Sequence, residues 1–483
     1  MTLATPAAAI AFGTSGLRGR ATDFDAAGVS AHVTAFLDYV GAPRGGEIYV
    51  GCDLRSSSPT ISALVLSAIA ANGQVPHWCG VLPTPAVAAA ALARRVPAII
   101  VTGSHIPEDH NGIKFYRPDG ELLKQDEAPI RALAEKAPAA GMPLSAAVLP
   151  DADASAGAAY VDRYAVAYGP KALKGLKLGV YEHSAAGRDL LADILVHLGA
   201  EIVRYGRSES FVAVDTEALE PESLAAAAAQ IAAHGLDAVV STDGDGDRPL
   251  LIDADGRQIN GDVLCALAAR ALGIRTVVTP LTSTSAVELS GWFDTVIRTR
   301  IGSPHVVAAM QAETGTALAG FEANGGFLLG SDLALDMGRL AALPTRDAIL
   351  PLVAVCAEAA RRALPLAALV AELPGRVMKA DRLKEVPGEL SARFLSEIAV
   401  SAPLRSRLAA ELERPRSTDT TDGVRFGLAD GSIVHFRASG NAPELRAYVE
   451  TDAAETTGAM LRAIMTRMDQ VLSGWRNMTK SAV

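Results

Sequence analysis

A chain of three similar α/β units followed by a small α+β unit is what this sequence predicts, on three observations. "PAIIVTGSH" (97–105), "DAVVSTDGDGDR" (237–248) and "TALAGFEANGG" (316–326) each run apolar and then break into small or polar residues. A short apolar run ending in a glycine-containing loop is how a buried parallel strand delivers side chains to the C-terminal edge of a sheet. Alanine-rich helical stretches flank these runs, among them "PAVAAAALARR" and "PESLAAAAAQIAAHG". The tail reads differently: "GVRFGLADGSIVHFRAS" makes two strands about an Asp430-Gly431 turn, "LRAYVE" a third, and residues 457–475 an amphipathic helix.

Composition shifts set the boundaries. "VLPDADASAGAAYVDRYAVAYG" (148–169) leads out of the first unit towards "LKGLKLGVYEHSAAG", which opens the second. "ARALGIRTVVTPLTS" (269–283) opens the third, and "AELPGRVMKADRL" (371–383) leaves it. The expected domains are 1–165, 166–270, 271–373 and 374–483, in keeping with a length of 483 residues.

Hydrophobic residues make up 49% of the chain and charged residues 20%, the balance of a folded protein. A formal net charge of −10 excludes bulk attraction to nucleic acid or an anionic membrane, though not a local cationic pocket. Cys52, Cys79, Cys265 and Cys356 are far apart and form no CxxC pair, as expected of buried small residues in a reducing compartment. The N-terminal "MTLATPAAAIAFG" has no basic residue before its apolar stretch, and "AILPLVAVCA" reaches about half the length of a membrane span. The expectation is a soluble, cytoplasmic protein with no nucleic-acid or membrane partner; nothing in the pattern argues for a particular oligomer.

The most specific stretch is "DGDGDR". Asp243, Asp245 and Asp247 alternate with glycine, so the backbone can fold tightly enough for three carboxylates to converge, and hard oxygen ligands suit Mg²⁺ or Ca²⁺. The bland reading is a solvated acidic turn; three aspartates beside an apolar strand are costly without a cation. An EF-hand fails, because Arg248 stands where its loop needs glycine and Ala254 where it needs glutamate. An aspartyl-phosphate hydrolase with Asp243 as nucleophile stays open on this stretch alone.

Ser104 lies just past a strand, where a serine is most often a helix cap. No nucleophile elbow surrounds it, since Thr102 and Ile106 occupy the glycine positions. A serine without a base can still attack phosphorus, or carry a phosphate, if a metal neutralises the charge. In the tail, "RASGN" brings a guanidinium, a hydroxyl, a flexible backbone and an amide together at Arg437, Ser439, Gly440 and Asn441, a phosphate cradle or else a polar turn. Glu322 and Asn324 in "GFEANGG" suit vicinal sugar hydroxyls, though an exposed turn fits equally well. Arg18 in "FGTSGLRG" sits among small polar residues, where a surface turn fits equally well, and Lys114 in "NGIKF" carries no role unaided.

Taken together and in order, "FGTSGLRG", "TGSHIPEDHNGIKF", "DGDGDR", "GFEANGG" and "RASGNAPELRAYVE" resemble the α-D-phosphohexomutase family, and within it the phosphomannomutase/phosphoglucomutase group. The resemblance covers nearly the whole chain. It implies an α/β fold of three similar domains with mixed sheets plus a smaller C-terminal α+β domain, arranged around a central cleft. It implies that Ser104 is phosphorylated in the resting enzyme and that Asp243, Asp245 and Asp247 hold Mg²⁺ with an oxygen of that phosphoserine. Arg18, His105, Lys114 and Arg248 would line the reacting centre, with Lys114 or His105 as the proton shuttle. Glu322 and Asn324 would bind sugar hydroxyls, and Arg437, Ser439, Gly440 and Asn441 the non-reacting phosphate.

The implied reaction is reversible interconversion of hexose 1-phosphate and hexose 6-phosphate. Phosphoserine 104 donates its phosphoryl group to give a hexose 1,6-bisphosphate, also the expected activator, which turns end for end and returns its other phosphate. Such transfer needs positioning and charge neutralisation more than covalent help. Three departures bear on the sugar. "TGSHIP" stands where much of the family has "TASHNP", and "EANGG" where a serine and a later histidine are common. "RTRIGSPHV" (298–306) resembles the specificity loop and points to Gly302 and Ser303, with Ser303 where some members have histidine. The style of "TGSHIP…NGIKFYRPDGE" favours mannose phosphate over glucose phosphate or dual use. The remoter rivals are the aspartyl-phosphate phosphatase and a non-catalytic sugar-phosphate sensor.

Overall fold

The computed structural model describes residues 10–13, 16–136, 148–440 and 442–480. They form two compact units. The first takes the chain as far as Thr279 together with Trp292–Ile297 and Gly302–Glu372; the second comprises Pro280–Gly291, Arg298–Ile301 and the chain from Leu373 onward.

Three sheets repeat one plan. In the first, strand order is Ala11–Gly13, Gly16–Arg20, His110–Arg117, Ala98–Val101, Glu47–Cys52, Val75–Val81, with Gly120–Glu121 paired beside His110–Arg117. The second runs Gln258–Ile259, Pro249–Asp253, Ala238–Thr242, Lys177–His183, Glu201–Arg207. The third runs Thr295–Thr299, Thr276–Pro280, Leu318–Phe321, Phe327–Leu329, Leu343–Asp347.

The three apolar runs singled out in the sequence are the equivalent strands Ala98–Val101, Ala238–Thr242 and Leu318–Phe321. Each is parallel to one neighbour and antiparallel to the strand that follows it in the chain. That hairpin partner makes the sheets mixed, and it places the loops starting at Thr102, Asp243 and Glu322 at corresponding strand ends.

The strands are buried on both faces, which is why they read as continuous apolar runs. Val50, Cys52, Ile99, Val101, Ile113 and Phe115 face the helices Ala26–Tyr39 and Ser58–Ala71, while Tyr49, Ala98, Ile100 and Tyr116 face Thr84–Arg94. The alanine-rich stretches are the helices Thr84–Arg94 and Pro221–His234, the latter ended by Gly235 at φ +61°. All four cysteines are buried and free, and burial pushes Cys52, Cys79 and Cys356 up to about 12.

The second unit has one antiparallel sheet: Val377–Leu383, Leu445–Thr451, Ile433–Ala438, Val424–Gly427, Ser417–Asp419. The helix Ala454–Lys480 lays Leu461, Ile464, Met465, Met468, Val471, Leu472 and Trp475 against it, a three-and-four spacing. Val377–Leu383 lies in the stretch that in sequence looked only like an exit from the third domain. Its side chains are exposed or half-buried, so it lacks the alternation that announces a strand. Among the described residues no helix is long and apolar enough to cross a membrane.

Candidate active site

Ser104 follows the strand Ala98–Val101 with φ +55°, a left-handed conformation that costs a non-glycine residue about 1–3 kcal/mol and persists only where the surroundings enforce it. It caps no helix. The enforcement comes from Arg55, which is 1% exposed. Its Nη2 donates to the carbonyls of Ser104 (2.9 Å) and Ile106 (2.5 Å), and its Nη1 to those of Pro107 (2.6 Å) and His110 (3.0 Å). Nε donates to Asp53 at 3.2 Å, and the guanidinium lies over the Phe211 ring at 3.9 Å. Asp53 in turn accepts from Ser58 Oγ, Thr102 Oγ1 and the Gly103 amide. At Gly103 a Cβ would stand 2.6 Å from the Arg55 guanidinium carbon, so "TGSH" rather than an alanine at this place suits the clamp.

The Ser104 hydroxyl donates to Asp243 Oδ2 at 2.6 Å and lies 3.3 Å from His105 Nδ1. Asp243 Oδ1 accepts the amides of Asp247 and Arg248, as a tight glycine-spaced turn allows. Asp245 Oδ2 accepts from Thr84 Oγ1 (2.7 Å) and Lys114 Nζ (2.6 Å), and Lys114 Nζ also donates to Asp247 Oδ2 at 2.6 Å. Arg346 Nη2 pairs with Asp247 at 2.8 Å and its Nη1 reaches Glu322 at 3.4 Å. Arg248 Nε sits 3.7 Å from Asp247 Oδ1.

The charge balance follows from burial. Burial, with the Asp247 and Asp245 carboxylates alongside, pushes Asp243 well above the usual carboxylate range. Burial would do the same to Asp247, but Arg346, Lys114 and Arg248 hold it far below. Burial and then the Arg248 and Arg18 guanidiniums press His105 down to about 4, so its ring is neutral at neutral pH.

One oxygen from each of Asp243, Asp245 and Asp247 lies within 4.8 Å of the others. Asp245 Oδ1 and Asp247 Oδ1 are buried acceptors with no hydrogen-bond partner among the described residues. Orphaned buried acceptors cost about 1–3 kcal/mol each, and an all-oxygen donor set of this kind fits a hard divalent cation.

Ser104, His105, Lys114, Arg18, Arg248, Glu322 and the three aspartates thus share one unit, and Arg18 lies within electrostatic reach of Arg248, Arg346, Asp247 and Asp245. Two expected substrate residues have internal partners. Ser303 Oγ donates to Glu121 Oε2 at 3.0 Å, and Asn324 Oδ1 accepts the Gly326 amide at 3.0 Å. Gly302 precedes the helix Ser303–Ala312 at φ +116°. Arg437, Ser439 and Gly440 belong to the second unit, where Arg437 Nε donates to Asp422 at 2.8 Å; Asn441 lies outside the described residues.

Arg55, Asp53, Thr84, Glu121 and Arg346 went unread in the sequence. "IYVGCDLR" follows the same grammar as the other three runs, an apolar strand ending in polar residues, so Asp53 and Arg55 had a signal. Arg346 had none, because a lone arginine near a strand end looks solvated.

Comparison with known proteins settles the family. Three segments match the descriptions "Phosphoglucomutase/phosphomannomutase, alpha/beta/alpha domain" I, II and III, over residues 9–140, 158–256 and 260–377. This chain belongs to the phosphoglucomutase/phosphomannomutase family. It is 42% identical over 459 residues to a phosphomannomutase of Sinorhizobium fredii, covering 93% of this chain and 97% of that protein. A phosphomannomutase of Salmonella muenchen is 36% identical over 96% of both chains. The crystal structure of a phosphoglucomutase/phosphomannomutase family protein from Burkholderia thailandensis superposes with TM-score 0.77 at 21% identity, covering 95% of this chain and 96% of that one, and so shares the fold. As a family member the chain is a hexose-phosphate mutase, an isomerase working by phosphoryl transfer, and its buried carboxylate trio is consistent with Mg²⁺.

Proposed function

We propose that this mutase interconverts mannose 1-phosphate and mannose 6-phosphate through a phosphoserine at Ser104 and a hexose 1,6-bisphosphate. The observation that carries the reading is the Ser104 hydroxyl, held 2.6 Å from one member of a buried three-carboxylate nest that Lys114, Arg248 and Arg346 surround. Asp243, Asp245 and Asp247 would hold Mg²⁺, which when bound supplies neutralisation of phosphoryl charge.

The chain's own groups supply the rest. Arg55 fixes the backbone of the serine loop and so the place from which Ser104 Oγ projects towards Asp243. Lys114, Arg18 and Arg248 offset the negative charge spread over the phosphoryl oxygens as the bond from phosphorus to Ser104 Oγ breaks and that to the sugar hydroxyl forms. The hydroxyl proton passes to a nearby base, for which the neutral His105 ring is the candidate, because Asp245 and Asp247 keep Lys114 in its charged form and so unable to accept a proton. Glu322, positioned by Arg346, accepts hydrogen bonds from the sugar, with Asn324, Gly302 and Ser303 shaping its surroundings. Arg437, Ser439, Gly440 and Asn441 grip the phosphate that is not reacting. A bisphosphate of the same sugar class would recharge a serine that has lost its phosphate, and the remaining partners are small sugar phosphates.

Mannose is favoured because the relatives at 42% and 36% identity are phosphomannomutases, whereas a phosphoglucosamine mutase of Sorangium cellulosum is 28% identical. A coupled assay with mannose, glucose and glucosamine 1-phosphates, Mg²⁺ and a bisphosphate activator tests this. The highest kcat/KM is expected for mannose 1-phosphate; an equal or higher value for another sugar overturns the mannose assignment.

A further inference from the structure

Within the second unit, the turn "TTDGV" gathers four interactions on two adjacent residues. Asp422 Oδ2 accepts both Arg437 Nε (2.8 Å) and the Ile301 amide (3.0 Å). The Asp422 carbonyl accepts His435 Nε2 at 2.5 Å, and the Thr421 carbonyl accepts Arg300 Nε at 2.9 Å. The turn is locked in place: Gly423 has φ +77°, and a Cβ there would stand 2.1 Å from the carbonyl oxygen of Phe436, the residue next to Arg437. Asp422 and Arg437 have side chains only 16% and 17% exposed, so their pair is partly shielded from water and salt.

We infer that Asp422 is a positioning residue that fixes the phosphate-gripping Arg437 and registers it against the segment Arg300–Ile301. The inference rests on the proposal that Arg437 binds the non-reacting phosphate. A guanidinium has a side edge, which includes Nε, and an end edge formed by Nη1 and Nη2. Asp422 takes Nε, which sets the plane of the group and leaves the end edge as the fork for a phosphate. The same carboxylate oxygen holds the amide of Ile301, directly before Gly302 and Ser303 in the stretch that resembles the specificity loop. One acid thus holds both the phosphate-gripping arginine and the Arg300–Ile301 segment of the same unit. Neither the motif "RASGN" nor the loop "RTRIGSP" contains this coupling, because it sits on a third segment.

The test is a double-mutant cycle on steady-state kinetics with the full-length enzyme. Asp422→Asn should raise KM for mannose 1-phosphate roughly 10-fold through loss of a charge-assisted bond, with kcat within twofold and phosphate occupancy of Ser104 unchanged. It should also narrow the ratio of kcat/KM between mannose and glucose 1-phosphates. Arg437→Ala should raise KM on its own, and adding Asp422→Asn to it should raise KM no further. If Arg437→Ala leaves KM unchanged, the phosphate-grip reading fails. If Arg437→Ala raises KM while Asp422→Asn does not, or if the two effects multiply, the positioning inference alone fails. Asp422→Glu, which keeps the charge but moves it by one methylene, should give the same KM rise, and it decides the matter if the asparagine variant is poorly folded. A loss of thermal stability with KM and the sugar ratio both unmoved would mark Asp422 as merely structural and overturn the inference.

Discussion

Arg55 offers the sharpest separation of stability from catalysis. Arg55→Ala removes five donors at once: four to the carbonyls of Ser104, Ile106, Pro107 and His110, and one to Asp53. Ile106 and His110 are half-buried and Pro107 is exposed, so water replaces much of what their carbonyls lose. Asp53 is 1% exposed and would keep its bonds to Ser58 and Thr102 but lose its ion partner. An uncompensated buried charge of that kind costs about 3–5 kcal/mol, which dominates the expected destabilisation. Asp53→Asn in the same chain removes the orphaned charge and should restore part of that stability.

Activity should not return with it. Without the clamp Ser104 can relax from φ +55°, and regaining that conformation costs about 1–3 kcal/mol, a roughly 5- to 150-fold fall in kcat. Arg55→Lys retains a charge beside Asp53 but cannot span four carbonyls, so it should keep more stability than alanine and share the kcat loss. Urea unfolding and initial rates at saturating Mg²⁺ measure the two quantities on the same preparations. A well-folded Arg55→Lys protein with kcat within twofold of the parent would refute the reasoning.

Two further expectations use other parts of the structure. A Cβ on Gly261 would stand 2.4 Å from the Gly325 amide and 2.5 Å from the Asn324 carbonyl carbon, so Gly261→Ala should displace the sugar loop, cost about 1–3 kcal/mol and raise KM several-fold with Ser104 still phosphorylated; an unchanged KM counts against a sugar role for that loop. His183 is fully buried, and burial holds its imidazole at about 4 against an ordinary 6.5. The folded-state value is depressed, so the unfolded chain takes up the proton first: the stability contribution is full above about pH 6.5 and is lost as pH falls towards 4, by at most about 3 kcal/mol. Urea unfolding from pH 7 to 4.5 should show this slope reduced in His183→Gln, and identical slopes would contradict it.

The fold and the chemical centre were legible to different degrees. The runs at 97, 237 and 316 announced three buried strands because strands covered on both faces must be apolar throughout, and their polar ends marked Ser104, the aspartates and Glu322. The strand Val377–Leu383 was silent because an edge strand with exposed side chains needs no pattern. Lys114 looked like any surface lysine, and only the fold puts its ammonium 2.6 Å from two carboxylates 131 and 133 residues away. Arg346 and Glu121 were invisible for the same reason: their partners are distant in sequence, and a buried ion pair leaves no local periodicity.

The central claim is that Ser104 carries the transferable phosphoryl group. Peptide mass analysis of the resting enzyme, and of enzyme quenched after the first half-reaction with mannose 6-phosphate, tests it most directly. One acid-stable phosphate is expected on the peptide containing Ser104, discharged to the sugar as the bisphosphate forms, with no turnover from Ser104→Ala. An acyl phosphate on Asp243, or full turnover by Ser104→Ala, would contradict it.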